Sequence, residues 1–332
     1  MDEIFAKIAQ ETTTFNLGDE EKWRTLYEPF YKPPPPTVTV IRDERYGPAE
    51  RNLLDVFVPV PTSPSPEEEE KEPTRPVLMF VHGGGFFSGG KQWSEKVYSN
   101  IGYFFAQHGI ITVVANHQLV PHVQYPGGAQ DMQLAREWIY NNIASPRYGR
   151  GAPGKVVLLG SSSGGAHIAM NLYSPAAAAD PNIPVFPPVA GIIYLSVPFW
   201  YDRRKPVRQR TIRSYYGSDD EEVWGPKSGL GLFKALPDGS PLLDSQKIPI
   251  YLGTVEWEVP ETADAMVKFL DAYRARSRPS NTLPVFHVLK KHNHLSNVLS
   301  IGTEDTVQGR MLVDFVYSCV GGERERKREG RL

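Results

Sequence analysis

The sequence predicts an α/β protein: a mostly parallel, eight-stranded sheet with helices on both faces and a small lid or cap. Three observations carry that prediction. Strand-like and helix-like segments alternate from about residue 37 onward, the rhythm of strand–helix–strand units. Some strands are unbroken apolar runs, such as Pro76-Val77-Leu78-Met79-Phe80-Val81, which suits strands covered on both faces. Glycine-framed turns stand at the ends of two of these strands, at His82-Gly83-Gly84-Gly85-Phe86 and Gly160-Ser161-Ser162-Ser163-Gly164.

Taken in order, residues 37–42 and 54–60 read as two leading strands, a hairpin or an antiparallel edge. Residues 76–82 form the first long buried strand. Residues 93–108 come next, with helical spacing of Val97, Ile101, Phe104 and Phe105. Residues 110–116 are β-branched and apolar, and 129–143 are an amphipathic helix. The run 155–159 leads into the serine-rich turn, and 165–170 continue as helix. Residues 190–198, 248–254 and 285–289 supply the last three strands, with helices at 261–276 and 306–320.

Two regions break the rhythm. Residues 61–76 hold Glu67-Glu68-Glu69-Glu70 among prolines and read as a solvated loop. Residues 200–247 carry prolines, glycines and aromatics without strand rhythm, which suits a lid over a pocket. Residues 1–36 are a second candidate cap, 323–332 a charged, disordered tail, and 1–332 as a whole a single domain.

Composition narrows the classes. The 332 residues are 40% hydrophobic and 22% charged, with a formal net charge of −2, so no electrostatic case exists for nucleic acid or an anionic membrane. Cys319 is the single cysteine, which excludes an intrachain disulfide. The acidic N-terminus lacks a secretory signal and no apolar run could span a bilayer. The expectation is a cytoplasmic protein that needs no cofactor and acts on a small molecule. The sequence leaves its oligomeric state open, a homodimer being one option.

A serine held between glycines at a strand–helix junction is the pattern that lifts a nucleophilic hydroxyl above a sheet. Only Ser162 has glycine two residues before and two after, so Ser161 and Ser163 read as small spacers. The His82-Gly83-Gly84-Gly85 loop suits a backbone that offers its amides to a developing oxyanion. It lacks the Lys-Ser/Thr ending of a phosphate loop.

A serine hydroxyl needs a base held by an acid. In this order of elements the acid comes after a late strand and the base after the last one. Glu256 is the first choice for the acid, because it stands where residues 248–254 give way to a loop. Glu258 comes second, and Asp264 lies too far into the next helix. For the base, His287 falls inside a strand, whereas His292 and His294 lie beyond it. His294 is preferred, being nearer the next helix and followed by Leu295. A metal reading of His292-x-His294 lacks a third ligand cluster.

With these motifs in place, the chain resembles the hormone-sensitive-lipase-like branch of α/β-hydrolase carboxylesterases over about residues 46–320. Asn116-His117-Gln118-Leu119-Val120-Pro121 and the Tyr125-Pro126, Asp131, Ala135, Trp138 spacing are similar to segments of that family. The resemblance implies Ser162 as nucleophile, His294 as base, and the amides of Gly84, Gly85 and Ser163 as the oxyanion hole. His292-Asn293-His294-Leu295-Ser296 is also similar to the histidine segment of fungal members and of kynurenine formamidases. The chain departs from the family at the acid, where glutamate followed by Trp257-Glu258 replaces aspartate. It departs again at His117-Gln118, where the family has Tyr-Arg, and at Gly85, where kynurenine formamidases carry an aromatic.

The expected activity is hydrolysis of a carboxylic ester of a small, largely apolar substrate. Phe86, Phe87, Trp93, Trp200, Tyr201 and Trp224 would wall the pocket. Alternatives are an arylformamidase, a non-hydrolytic biosynthetic step at the same site, and a non-catalytic small-molecule binder, since fold does not fix function.

Overall fold

Strand β3 (Arg75–Val81) sets the architecture, because its side chains are buried on both sides of the sheet. Val77, Met79 and Val81 enter one apolar cluster, while Leu78 and Phe80 enter the other, as the period of two in a strand requires. Covering both faces takes helices on each, which is why the sheet sits in the middle of the chain's two cores. The structure, a computed structural model, describes residues 1–14, 18–60, 75–175, 184–202, 204 and 206–321. The glutamate run and the charged tail lie outside these residues.

The eight strands are β1 (Val38–Arg45), β2 (Leu53–Pro59), β3, β4 (Ile111–Ala115), β5 (Gly151–Ser161), β6 (Gly191–Leu195), β7 (Ile250–Trp257) and β8 (Val285–Asn293). Their order across the sheet is β1-β2-β4-β3-β5-β6-β7-β8. β2 is antiparallel to both its neighbours and every other pair is parallel. The leading pair is thus the antiparallel edge that the sequence suggests.

The main helices are α1 (Asp2–Glu11), α2 (Asp19–Tyr27), α3 (Ser99–Gln107), α4 (Gly127–Asn142), α5 (Ser163–Leu172), α6 (Pro206–Tyr216), α7 (Pro260–Arg276) and α8 (Val307–Val320). Ala135 of α4, Ala169 of α5 and Phe269 of α7 join the first cluster; Ile101 of α3 and Val316 of α8 join the second, with Ile8 of α1 and Trp23 of α2. A fully buried ring such as Phe80 or Phe105 contributes about 2–3 kcal/mol.

Boundaries differ from expectation in ways that matter to the site. Helix α3 starts at Ser99 and not at residue 93, so Trp93 stands in the irregular segment ahead of it. β7 runs on through Trp257, and β8 through Asn293. The region 200–247 is organised around α6, whose Ile212, Tyr215 and Tyr216 are buried. Leu230 N–H, in a short helix downstream of α6, donates to Phe199 O at 3.0 Å and the Tyr216 hydroxyl meets Met170 Sδ at 3.2 Å, fixing this region to the turn after β6 and to α5.

Candidate functional site

The turn between β5 and α5 forces Ser162 into a backbone conformation few residues adopt. Its φ is 50° and its ψ −126°, a strained combination that surrounding structure must impose. Ser162 N–H donates to Leu195 O on β6 at 2.8 Å, which pins the turn. The flanking glycines are there for space: a Cβ on Gly160 would lie 2.4 Å from Gly165 Cα, and one on Gly164 2.4 Å from the carbonyl oxygens of Val81 and His82. Strand, helix and the His82 loop therefore close on one another only because these positions lack side chains.

Ser162 Oγ lies 3.0 Å from His294 Nε2, and His294 Nδ1 lies 2.7 Å from Glu258 Oε1. His294 stands just past the end of β8. Its loop is locked by Ser296, whose Oγ accepts from Asn293 N–H at 2.9 Å and meets His292 Nδ1 at 2.9 Å. His292 itself is buried and turns away, with Nε2 2.8 Å from Oδ2 of the partly buried Asp305. Glu258 is buried and held in place by the Val259 N–H at 2.9 Å and the Thr254 hydroxyl at 3.2 Å. Asp264 is exposed on α7.

The choice of Glu256 over Glu258 is therefore corrected. Glu256 Oε2 accepts from Lys291 N–H at 2.8 Å, and this bond is the main reason its carboxyl is held below its ordinary pKa. The cause is a bulge. Between Val255↔Leu289 and Trp257↔Asn293, β7 advances two residues while β8 advances four. Lys291 takes φ 66° there, so the ladder is broken, and Glu256 accepts from its N–H. Glu258 lies beyond the strand end, where the chain turns its carboxylate inward.

The loop after β3 presents amides. Gly84 has φ 135° and Gly85 φ 63°; a Cβ on Gly84 would come within 1.9 Å of Ser88 O. Ser88 N–H returns to Gly84 O at 2.9 Å and closes the loop. Among the described residues, the N–H groups of Gly84, Gly85 and Ser163 have no acceptor within the chain. Amides without internal partners beside a serine hydroxyl can receive an oxyanion. Gly83 completes the contact: a Cβ there would be 3.0 Å from Ser162 Cβ.

The aromatic residues divide. Trp224 and Phe86 are buried, and the pocket-wall assignment is corrected for both. Trp224 packs on Trp200 and Tyr201, and Phe86 on His167, Tyr201 and Tyr215. Phe86 takes φ 76° and is turned into the core by the glycine loop. Tyr201 is buried too, with its hydroxyl bonded to that of Tyr216 at 2.8 Å. Phe87, Trp93 and Trp200 are half-buried.

Sequence reasoning missed a histidine cluster behind this loop. His82 and His117 stack at 4.4 Å, and His117 lies 4.5 Å from His167. All three are fully buried, and burial is the main cause that holds each imidazole below its ordinary pKa, His82 and His167 well below. Repulsion from His117 adds to it at His82 and His167, Arg51 lowers His82 and His117 further, and at His117 the hydrogen bonds to the Gln118 and His82 carbonyls, with Asp131, oppose it. Folding therefore excludes protons that the unfolded chain binds below about pH 6.5. The associated stability is present above that pH and lost as pH falls toward the depressed values. Each excluded proton adds a slope of up to about 1.4 kcal/mol per pH unit. Urea midpoints should fall between pH 7 and 5 in the parent, and fall less in His167→Phe. An unchanged slope in the variant would remove the cluster from the account.

Among the described residues, no helix is long and apolar enough to cross a membrane, and no group of three or more His, Cys, Asp or Glu side chains is gathered to hold a metal ion.

Residues 65–180 match the BD-FAE family model. A venom carboxylesterase-6 of Apis mellifera is 30% identical over 135 residues, 38% of this chain and 21% of that protein. A probable isoprenylcysteine alpha-carbonyl methylesterase of Oryza sativa subsp. japonica is 32% identical over 130 residues, 39% of this chain and 27% of that protein. The chain thus matches only about a fifth to a quarter of the length of these curated relatives. The crystal structure of esterase B from Lactobacillus rhamnosis superposes with a TM-score of 0.67 over 98% of both chains at 14% identity. A hyperthermophilic esterase from the archaeon Pyrobaculum calidifontis gives 0.62 over 91% of both at 16%. The chain has the α/β-hydrolase fold, and its resemblance to esterases of that fold stands on the matched segment.

Proposed function

We propose that this chain is a carboxylesterase-type serine hydrolase. The observation that carries the reading is the continuous chain of contacts Ser162 Oγ–His294 Nε2 at 3.0 Å and His294 Nδ1–Glu258 Oε1 at 2.7 Å. Ser162 Oγ attacks the ester carbonyl as His294 Nε2 takes its proton. Glu258 holds the imidazole by Nδ1–H and offsets the charge of the imidazolium. The carbonyl oxygen, now negative, receives N–H donors from Gly84, Gly85 and Ser163. On collapse of the tetrahedral species the alcohol leaves with the proton from His294. Water, activated by the same nitrogen, then cleaves the acyl-enzyme and frees the acid.

The substrate is a small, largely apolar ester, in keeping with half-exposed Phe87 and Trp200. Residues 1–36 and 200–247 serve as caps in this reading. A non-catalytic binder would have no need of three aligned proton-handling groups.

Incubation with an active-site fluorophosphonate tests the reading. Mass spectrometry should find the label on the peptide holding Ser162. A protein that takes up none, while still folded, would instead be a binder.

A further inference from the structure

A cavity of about 530 Å³ opens beside the glycine loop, lined by Arg24, Asp43, Arg51, Lys91, Trp93 and Asn116 among others. Arg24, from α2, is 6% exposed. Its fork is nearly empty. Among the described residues its side chain makes one hydrogen bond, from Nη2 to the Tyr98 hydroxyl at 3.3 Å. Glu21 Oε1 is 4.0 Å away and 64% of that side chain is exposed, too far and too wet to satisfy a buried guanidinium.

The protein treats its other sequestered arginines differently. Arg208 grips both oxygens of Glu261, with bonds at 2.8 and 3.1 Å from Nε and 2.8 Å from Nη2. Arg136 bonds to Gln133 and Asn171 at 3.1 and 2.8 Å. The other cations of the cavity are engaged as well. Lys91 contacts Asp55 at 2.6 Å and Asp43 at 2.8 Å, and Arg51 donates to His117 O and Gly89 O at 2.8 and 2.9 Å. The nitrogens of Arg24 without a protein partner open onto the cavity, where a solute can complete them.

The guanidinium is oriented by aromatic rings, 5.5 Å from the centre of Tyr98 and 5.9 Å from that of Trp93. Such stacking leaves the edge of the fork for a planar group with two oxygens. Trp93, half-buried in the cavity wall, offers an apolar face to whatever carries that group. Glu20, Glu21 and Asp43 also line the cavity and balance the charge of Arg24, Arg51 and Lys91, so a dianion meets about twice the repulsion from these carboxylates that a monoanion does. We propose that this cavity binds a small organic monocarboxylate, its two oxygens on Arg24 and its apolar part against Trp93. The occupant sits against Ser88–Lys91, and Ser88 closes the loop that carries Gly84 and Gly85. The proposal goes beyond the hydrolase reading, and only the assignment of the carboxylate's source rests on that reading.

Calorimetric titration of Ser162→Ala protein with benzoate tests binding without turnover. Saturable binding is expected, weakened at least about ten-fold by Arg24→Met and weakened also by Arg24→Lys, which keeps charge but loses the fork. Glu21→Gln, an exposed change that leaves folding intact, should tighten benzoate about three-fold by removing a competing carboxylate. Inorganic phosphate should bind more weakly than benzoate. Absence of saturable benzoate binding, equal affinity in Arg24→Met, or no gain in Glu21→Gln overturns the proposal. Should Arg24→Met fail to fold, the Arg24→Lys and Glu21→Gln results decide. The source of the carboxylate is read from the Ser162 parent acting on monomethyl glutarate and on methyl pentanoate. A preference for the former that Arg24→Lys loses puts the carboxylate on the substrate; benzoate binding without such a preference makes the ligand a free acid.

Discussion

Replacing Ser162 by alanine is expected to lower turnover of short-chain aryl esters by roughly 10⁶-fold, because the group that forms the acyl bond is gone. Only an oxygen is removed, and the fold has little at stake in it. Ser162 keeps its backbone bond to Leu195 O at 2.8 Å, and the left-handed φ of 50° is imposed by β5, α5 and the two glycines beside them. Thermal unfolding should therefore match the parent within a few degrees, about 1 kcal/mol or less. The comparison needs purified parent and variant, one aryl ester and one melting curve each. A variant within a factor of about ten of the parent would reject Ser162 as the nucleophile.

What the sequence made legible is what sterics dictate locally. A glycine two residues either side of a serine has a steric reason that the residue order alone conveys. Gly160 and Gly164 bear it out, each leaving no room for a Cβ beside the neighbouring backbone. Apolar runs marked the strands on equally local grounds, since a strand buried on both faces has no polar positions. The preference for His294 over His292 also needed only loop position, and the structure brings His294 to Ser162 while His292 pairs with Asp305.

Other features depend on contacts distant in sequence. The stacking of His82, His117 and His167 joins residues from three separate segments, and no local pattern announces it. Trp224 and Phe86 read as pocket walls because an aromatic outside a regular pattern of apolar residues carries no sign of which way it faces. The near-empty fork of Arg24 is visible only once Trp93 and Tyr98 are brought beside it.

The acid is where local reasoning failed, and there a single pair of substitutions carries the second large prediction. Glu258→Gln is expected to lower kcat by about 10⁴-fold. The amide has the carboxylate's shape: its oxygen can still accept from Val259 N–H and from His294 Nδ1–H, as Glu258 Oε1 does at 2.9 and 2.7 Å. It cannot offset the positive charge that His294 acquires when Ser162 attacks. Glu256→Gln should leave activity within a few-fold of the parent. Its amide oxygen can still accept from Lys291 N–H, and the exposed pair with Lys290 at 3.4 Å that it loses is worth about 0–1 kcal/mol. Alternation along a regular strand would have put both glutamates on one side and left them equivalent. The bulge at Lys291 separates them, assigning Glu256 to a strand amide and leaving Glu258 to the histidine. Should Glu256→Gln prove the crippled variant and Glu258→Gln retain its rate, the acid would have to reach His294 by a conformation in which the bulge has opened, and the assignment of Glu258 would be lost.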